Sequence, residues 1–187
     1  ALADGFVNLA RAEAQPFKPE ALDLLELAMQ AVDNTWATAR RREVSVEFES
    51  ELEEASFVGD RDLLTRALAN LLSNALKFSP RGGRVICRVA QRASDWTIAV
   101  IDQGPGIPKE LQSNLFQPFH RMHKESHPEV HGVGLGLLLV RTTMQRHGGR
   151  VEIESAEGQG CTFILVLPGP RADTPPQIAN HTQEQDA

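Results

Sequence analysis

The chain has 187 residues and a formal net charge of -6, enough for one domain of roughly 100 to 200 residues and too little for two full cores. Apolar residues make up 41% and charged residues 24%, which excludes a wholly disordered or fibrous chain. We find no apolar run of the roughly 18 residues that a membrane helix needs, and no secretion signal. The acidic balance disfavours a nucleic-acid binder. We expect a soluble, cytoplasmic domain whose two cysteines are buried thiols.

The N-terminal part of the chain predicts helices followed by a strand. Residues 1–15 place apolar side chains at helical spacing without a cap, so they are predicted to end a helix that starts upstream. A second helical pattern runs over 21–42 and closes on three arginines, which suit a helix C-terminus. Residues 44–49 alternate like a half-buried strand, and a short piece around Phe57 and Val58 is expected to pair with them.

The middle of the chain predicts a long helix and a hairpin. Asp60 is a plausible N-cap for a helix that ends near Phe78, where a proline- and glycine-rich turn follows. Residues 84–92 and 96–101 have strand patterns. The short link between them implies that they form an antiparallel pair.

The C-terminal part predicts a lid, a helix, a hairpin and a tail. A polar, proline-rich segment of about 103–133 is typical of a functional loop or lid. A helix opened by glycines is expected over 132–147, and a hairpin over 151–167. Residues 169–187 have the composition of a disordered tail. The order of elements predicts an α+β fold: a two-layer α/β sandwich with a mixed, mostly antiparallel sheet covered on one face by helices.

One stripe of the long helix carries polar side chains at helical spacing. Asn70, Asn74 and Lys77 lie within about 60 degrees of one another around the helix axis. An amide oxygen can bind a hard cation and an ammonium can hold phosphate, so the stripe suits a magnesium-phosphate group. A solvated helix face with two chance asparagines is the alternative.

Two glycine-rich segments flank the lid. Asp102 ends an apolar strand just before Gly104 and Gly106, so a carboxylate could accept a hydrogen bond from an amine where the backbone can approach closely. A plain strand-ending turn is the alternative. Alternate glycines over 132–136 open a helix, whose free amides favour phosphate, unless they are only a hinge. Their spacing matches neither the dinucleotide fingerprint nor the P-loop.

Five motifs occur in one order: NLLSNALKFS at 70–79, DQGPGI at 102–107, FQPF at 116–119, GVGLGL at 132–137 and GQGCTF at 158–163. Together they resemble the catalytic ATP-binding domain of sensor histidine kinases, which shares a superfamily with DNA gyrase and the heat-shock chaperone ATPases. The resemblance covers residues 18–168. It implies that residues 1–17 are a remnant of the dimerisation helix.

The resemblance implies ATP and Mg²⁺ as cofactors. Asn74 would bind Mg²⁺, and Lys77 would hold phosphate. Asp102 would accept from the adenine amino group, with Thr162 supporting it through a hydroxyl or a water. Arg121 would reach the γ-phosphate. The other implied ATP-binding residues are Phe78, Gly104, Gly106 and Ile107 beside the base, and Gly132, Gly134, Leu135, Gly136 and Leu137 at the glycine-opened helix.

The resemblance also indicates the reaction. A glutamate that activates water in the gyrase and chaperone branches is replaced here by Asn70, and an amide cannot act as a general base. Transfer to a histidine is therefore favoured over hydrolysis, and no histidine of the chain precedes an acidic residue as the phosphoacceptor does. The implied partners are the dimerisation and phosphoacceptor helices of the same protein, with or without a membrane anchor, and a response regulator; the fragment would be monomeric or weakly dimeric. An ATP-hydrolysing switch and a non-catalytic nucleotide sensor are the alternatives.

Four histidines lie in the predicted lid. Pro128 interrupts any common helical face among them, so a metal site is disfavoured against a solvated polar segment. A milder hypothesis is that they protonate near pH 6.5 and strengthen the hold on ATP. These residues are His120, His123, His127 and His131.

Overall fold

A computed structural model describes residues 16–117 and 135–169. The strands are β1 (Glu20–Asp23), β2 (Ser45–Ser50), β3 (Ser56–Gly59), β4 (Arg84–Arg92), β5 (Asp95–Asp102), β6 (Arg150–Ser155) and β7 (Cys161–Leu167). The helices are α1 (Leu24–Asp33), α2 (Trp36–Arg42), α3 (Arg61–Phe78), α4 (Lys109–Gln112) and α5 (Gly136–Arg146). None of these helices combines the length and the apolarity that crossing a bilayer requires.

Five strands form the main sheet in the order β2-β4-β5-β7-β6. The hairpin of β4 and β5 and the hairpin of β6 and β7 are both antiparallel, as the sequence predicts, and β5 and β7 are antiparallel as well. Only β2 runs parallel to its neighbour β4, because the chain crosses between them through β3 and α3 and a parallel pair needs such a crossover. The mixed, mostly antiparallel sheet is thereby confirmed.

The sheet separates an apolar layer from a charged surface. Val85, Cys87 and Val89 of β4 are buried in the same core cluster as the leucines of α1 and α3. Strand alternation places Arg88 of β4 on the opposite face, where it forms an ion pair with Glu49 of β2 at 2.8 Å. Helices therefore cover one face, and the predicted two-layer sandwich is confirmed.

The single helix predicted over 21–42 is wrong in two places. Residues 20–23 are the strand β1, and α1 begins only at Leu24 because Asp23 caps it: its Oδ1 accepts from the backbone of Leu25 at 2.8 Å and of Ala55 at 3.3 Å. A second break follows at Asn34 and Thr35, between α1 and α2. The hydroxyl of Thr35 donates to the carbonyl oxygen of Val32 at 2.6 Å, a local bond that competes with helix continuation.

The predicted partner of the segment around Phe57 and Val58 is also wrong. This segment is β3, and it pairs antiparallel with β1 in a separate two-stranded sheet rather than with β2. The capping bonds of Asp23 hold the chain extended before α1, which supplies β3 with a neighbour. The indole Nε1 of Trp96 donates to the carbonyl oxygen of Ser56 at 3.1 Å and fixes β3 against the main sheet.

Asp60 caps the start of α3, as predicted. Its Oδ1 accepts from the backbone of Leu63 at 3.0 Å, and its Oδ2 accepts from the backbone of Lys18 at 3.0 Å. The backbone N–H of Asp60 itself donates to Nε2 of His147 at 2.9 Å. Asp60 therefore ties the start of α3 to the N-terminal segment through its buried carboxylate and to the end of α5 through its backbone N–H.

His147 closes α5 as a buried neutral imidazole. Its Nδ1–H donates to the carbonyl oxygen of Thr143 at 2.7 Å, and its other nitrogen accepts from Asp60. The rings of Phe17 and Phe57 lie 4.9 and 6.0 Å from the imidazole, centre to centre. Burial is the main reason that the pKa of His147 lies below its ordinary value. We call Asp60, His147 and these two rings the latch.

Candidate functional site

A pocket opens between the end of α3, the end of β5 and the start of β7. It contains about 440 Å³ of empty space, part of it open to solvent. Its lining is mostly apolar, with Asn74 and Asp102 as the polar side chains. The lining residues are Asn74, Phe78, Asp102, Pro105, Gly106, Ile107, Leu137, Cys161 and Phe163.

Asp102 is the buried carboxylate of this pocket. Its Oδ1 accepts from the backbone N–H of Gly104 at 2.8 Å and of Cys161 at 3.2 Å. Within the described ranges no hydrogen bond reaches Oδ2. Burial raises the pKa of Asp102, and the two backbone hydrogen bonds offset part of that rise.

Two glycines let the backbone pass close to this carboxylate and to the pocket. A Cβ on Gly104 would lie 2.8 Å from Oδ1 of Asp102, so a side chain there would displace the carboxylate. Gly106 has φ +71°, and a Cβ on it would lie 1.9 Å from the carbonyl oxygen of Ala156. The sequence therefore places glycine where a packed wall leaves no room for a side chain.

The polar stripe of α3 meets the first turn of α5. Asn74 lines the pocket, while Asn70 lies one turn away and donates its Nδ2–H to the carbonyl oxygen of Arg66 at 3.0 Å. Gly136 begins α5 so close to Asn70 that a Cβ would lie 3.1 Å from its Oδ1. Lys77 points its Nζ toward the ring of Phe78, 5.6 Å from the ring centre. The stripe and the first turn of α5 thus form one continuous surface.

Most of the residues predicted in the two glycine-rich segments lie at or near the pocket. The others fall outside the described ranges. Leu137 and Ile107 line the pocket, and Leu135 is buried at the start of α5. The remaining predicted residues lie outside the described part of the chain. They are Arg121, Gly132 and Gly134, together with the four histidines of the predicted lid.

Thr162 does not belong to the pocket lining. In the antiparallel register Asp102 lies opposite Cys161, and Thr162 lies opposite Ile101. Since successive side chains of a strand point to opposite faces, Cys161 and Phe163 share the pocket face and Thr162 points to the other one. A direct contact of its hydroxyl with Asp102 from the pocket face is therefore not made, and support through a water stays a prediction.

Cys161 is the neighbour of Asp102 that the sequence interpretation missed. It donates its backbone N–H to Asp102 and its side chain lines the pocket. Burial raises the pKa of its thiol to about 12, and the nearby carboxylate contributes to that rise. Side chains alternate between the two faces along β7, so counting back two residues from Phe163 would have selected Cys161 for the same face. Both cysteines are buried and free, as expected.

The comparisons with known proteins place the chain in a family. Residues 59–171 match the family described as histidine kinase-, DNA gyrase B- and HSP90-like ATPase. The signal transduction histidine-protein kinase/phosphatase MprB of Mycolicibacterium smegmatis is 36% identical over 179 residues. That match covers 93% of this chain, and the chain spans 35% of that relative's length.

Solved structures agree with this relationship. The mycobacterial sensor histidine kinase MprB is 32% identical, with a TM-score of 0.69 over 81% of this chain and 98% of that one. Histidine kinase ThkA, solved in complex with the response regulator protein TrrA, has the same fold at 23% identity, with a TM-score of 0.73 over 90% of this chain and 47% of that one. The chain belongs to the histidine kinase-, DNA gyrase B- and HSP90-like ATPase family, as a catalytic ATP-binding domain of the sensor histidine kinase type.

Proposed function

We propose that the chain binds Mg²⁺-ATP in the pocket beside Asp102 and transfers the γ-phosphoryl group to a histidine on a helix outside this sequence. The observation that carries the proposal is the state of the Asp102 carboxylate. One oxygen is fixed by two backbone donors and the other is left for a ligand, at the end of an otherwise apolar pocket. A flat, apolar base with one exocyclic amine fits that arrangement.

The base would lie between the side chains of Phe78, Ile107, Leu137 and Phe163. Its amino group would donate to Oδ2 of Asp102, which a guanine could not do because its carbonyl oxygen occupies the corresponding position. The carboxylate is held by Gly104 and Cys161, so it needs no rearrangement when the base arrives. This geometry supports adenine as the preferred base.

The phosphates would extend along the stripe toward the first turn of α5. We assign phosphate contacts to Lys77 and to the backbone amides that begin α5, where the helix dipole favours an anion. Gly132, Gly134 and Arg121 keep their proposed roles at the phosphates. Part of the support is that Gly136 lies against Asn70, where an added Cβ would be only 3.1 Å from Oδ1.

Asn74 would bind Mg²⁺ through its amide oxygen. Among the described residues no group of three histidine, cysteine or carboxylate side chains could hold a metal by itself. Mg²⁺ keeps several waters and is commonly held by substrate phosphates and one or two protein ligands, so a single amide on the pocket wall suits it. The ion would screen charge that develops on the phosphates during transfer.

Transfer would break the bond between the γ-phosphorus and the bridging oxygen and form a bond to a ring nitrogen of the acceptor histidine, with ADP as the leaving group. Asn70 lies at the stripe end nearest α5, and its amide cannot take a proton from water. Its Nδ2–H is already engaged with the carbonyl oxygen of Arg66. This supports phosphoryl transfer over hydrolysis.

The partners we propose are the dimerisation and phosphoacceptor helices of the full-length protein and a response regulator. The second is supported by the ThkA complex, in which a kinase of the same fold was solved with its regulator. The catalytic domain would extend over 18–168, with a dimerisation remnant before it and a tail after it.

Titration of the chain with Mg²⁺-ATP tests the proposal, with Asp102→Asn as the matched variant. We expect the variant to bind far more weakly, because its amide N–H₂ presents a donor to the adenine amine. Equal affinity would contradict the assignment. Phosphate release without any added acceptor protein would favour the hydrolytic switch, and binding without transfer to an added phosphoacceptor helix would favour a nucleotide sensor.

A further inference from the structure

The turn between β6 and β7 is bonded to the pocket wall through one hydroxyl. Oγ of Ser155 accepts from the backbone N–H of Ile107 at 2.9 Å and donates to the carbonyl oxygen of Gly160 at 2.6 Å. Ile107 lines the pocket. A single partly buried hydroxyl therefore joins the wall to the turn and uses both its acceptor and its donor capacity.

Gln112 makes the same connection from α4. Its Nε2 donates to the carbonyl oxygen of Ile107 at 2.9 Å and to that of Ser155 at 3.0 Å. The backbone N–H and the carbonyl of Ile107 are thus both held by side chains rather than by secondary structure. Ser155 and Gln112 together are called the clamp.

The clamp reaches Asp102 through one peptide group. Ser155 donates to the carbonyl oxygen of Gly160, and Asp102 accepts from the N–H of Cys161. This carbonyl and this N–H belong to the same planar peptide unit. Fixing the carbonyl end therefore fixes the direction of the N–H. A hydrogen bond at the carbonyl also polarises the N–H and strengthens its bond to the carboxylate.

We propose that Ser155 and Gln112 are positioning residues for the nucleotide base. Both hold the Ile107 wall; Ser155 also holds the orientation of the Asp102 carboxylate through the Gly160–Cys161 peptide, and Gln112 fixes the backbone of Ser155. Neither side chain lines the pocket, so both act through other groups. The inference rests on the proposed ATP site. Its consequence is that base selectivity depends on two side chains that never touch the base.

Calorimetric titration with Mg²⁺-ATP and Mg²⁺-GTP tests the clamp. Ser155→Ala removes the hydroxyl. Gln112→Glu keeps the shape of the side chain but replaces its two N–H donors by a carboxylate oxygen, which faces the carbonyl oxygens of Ile107 and Ser155. We expect each variant to lose about tenfold in ATP affinity, the effect of one or two hydrogen bonds. GTP affinity should change by less than about twofold, because guanine carries a carbonyl oxygen in place of the C6 amine from which the positioned carboxylate would accept.

Two further variants serve as controls. Ser155→Thr keeps the hydroxyl and should retain the ATP over GTP preference. Gln159→Ala changes an exposed residue of the same turn. Among the described residues, Gln159 is bonded only through its backbone N–H, which donates to the carbonyl oxygen of Ala156. This variant should bind like the wild type. Urea unfolding of each variant identifies any sample that is not folded. Because the two clamp variants change different side chains, either one alone can test the clamp if the other fails to fold.

The outcomes separate the clamp from the site on which it rests. ATP affinity within about twofold of the wild type in a folded clamp variant would overturn the clamp, provided that Asp102→Asn has weakened binding. Equal losses for ATP and GTP would also overturn it, since they would reflect general damage. A wild-type chain that binds no ATP, or an Asp102→Asn variant that binds as well as the wild type, would overturn both proposals.

Discussion

The two ends of α3 use buried polar groups in opposite ways. At its start Asp60 has both carboxylate oxygens bonded within the chain, and its backbone N–H is bonded to His147. At its end Asn74 and Phe78 face a pocket in which Asp102 keeps one oxygen without a bond from the described residues. The first arrangement satisfies every group in the absence of a ligand, and the second does not.

This difference separates stability from binding along one helix. Buried polar groups that are fully paired hold elements together, while an unpaired one costs free energy until a ligand arrives. Changes at the latch should therefore alter the free energy of unfolding and leave affinity alone. Changes at the pocket should lower the affinity for ATP and leave the free energy of unfolding nearly unchanged or raised.

The largest expected effect is that of His147→Ala on stability. The substitution removes the acceptor of the Asp60 N–H and leaves space between Phe17 and Phe57, so the free energy of unfolding should fall by about 3 kcal/mol. Urea denaturation measures it. ATP affinity, measured at a temperature where the variant is folded, should be unchanged; a clear loss would show that the two ends of α3 are coupled.

Asp102→Asn should show the opposite pattern. The affinity for ATP should fall by about 2 kcal/mol, roughly 30-fold. Because burial raises the pKa of Asp102, folding favours its neutral form, and the ionised wild type is penalised once the pH rises through that raised pKa.

At pH 7 the free energy of unfolding of Asp102→Asn should therefore be equal to or greater than that of the wild type. This advantage should shrink as the pH falls below the raised pKa of Asp102 toward the ordinary pKa of a carboxyl. Parallel urea denaturation of both proteins from pH 7 down to about pH 4, near the ordinary pKa of a carboxyl, checks it. A variant that is less stable than the wild type at pH 7 would contradict this assignment of the burial cost.

A pH effect should distinguish the latch from the rest of the molecule. His147 has a lowered pKa in the folded state, mainly from burial; Asp60 opposes this shift and Arg146 adds to it. The stability it contributes is present above the unfolded pKa near 6.5 and is lost as the pH falls through the lower folded value.

Unfolding free energy should therefore decline below about pH 6.5, by at most about 1.4 kcal/mol per pH unit for one proton. In His147→Gln this part of the decline should disappear. Denaturation curves from pH 7.5 to 5 provide the comparison, and an identical decline in both proteins would assign the effect to other groups.

The smallest effect should come from the contact between α5 and the stripe. In Gly136→Ala the new Cβ would press on Oδ1 of Asn70 at 3.1 Å, so ATP affinity should fall roughly threefold while stability changes by less than about 1 kcal/mol. Gly148→Ala is the matched control at the other end of α5. Gly148 has φ +68° with open space around it, so its substitution should cost about 1 kcal/mol of stability and no affinity.

Periodicity in the sequence predicted the parts of the fold that local chemistry controls. The cap at Asp60, the hairpin of β4 and β5 and the apolar face of α3 all follow from residue spacing. The prediction of one helix over 21–42 failed because Asp23 decides where the helix starts, through one local bond to Leu25 and one bond to the distant Ala55. Pairing of β3 with β1 could not be predicted for the same reason: β1 exists only once that helix start is fixed.

The site was predicted by spacing along α3 and by glycine motifs, and the miss at Thr162 came from not applying alternation across β7. Register relative to Asp102 decides which side chain enters the pocket, and one residue of displacement changes the face. The clamp had no sequence signal, because Ser155 and Gln112 act through backbone groups of other segments. The latch likewise depends on a contact between residues 87 positions apart.

The two free thiols give the molecule built-in reporters of its own opening. Burial raises the pKa of both Cys87 and Cys161 to about 12, so a thiol reagent can react only after the side chain is released to solvent. Cys161 borders the pocket, and Cys87 lies in the core beneath the helices. Labelling rates at these two sulfur atoms would separate local breathing of the pocket from global unfolding in a single unmodified sample, with bound nucleotide slowing Cys161 selectively.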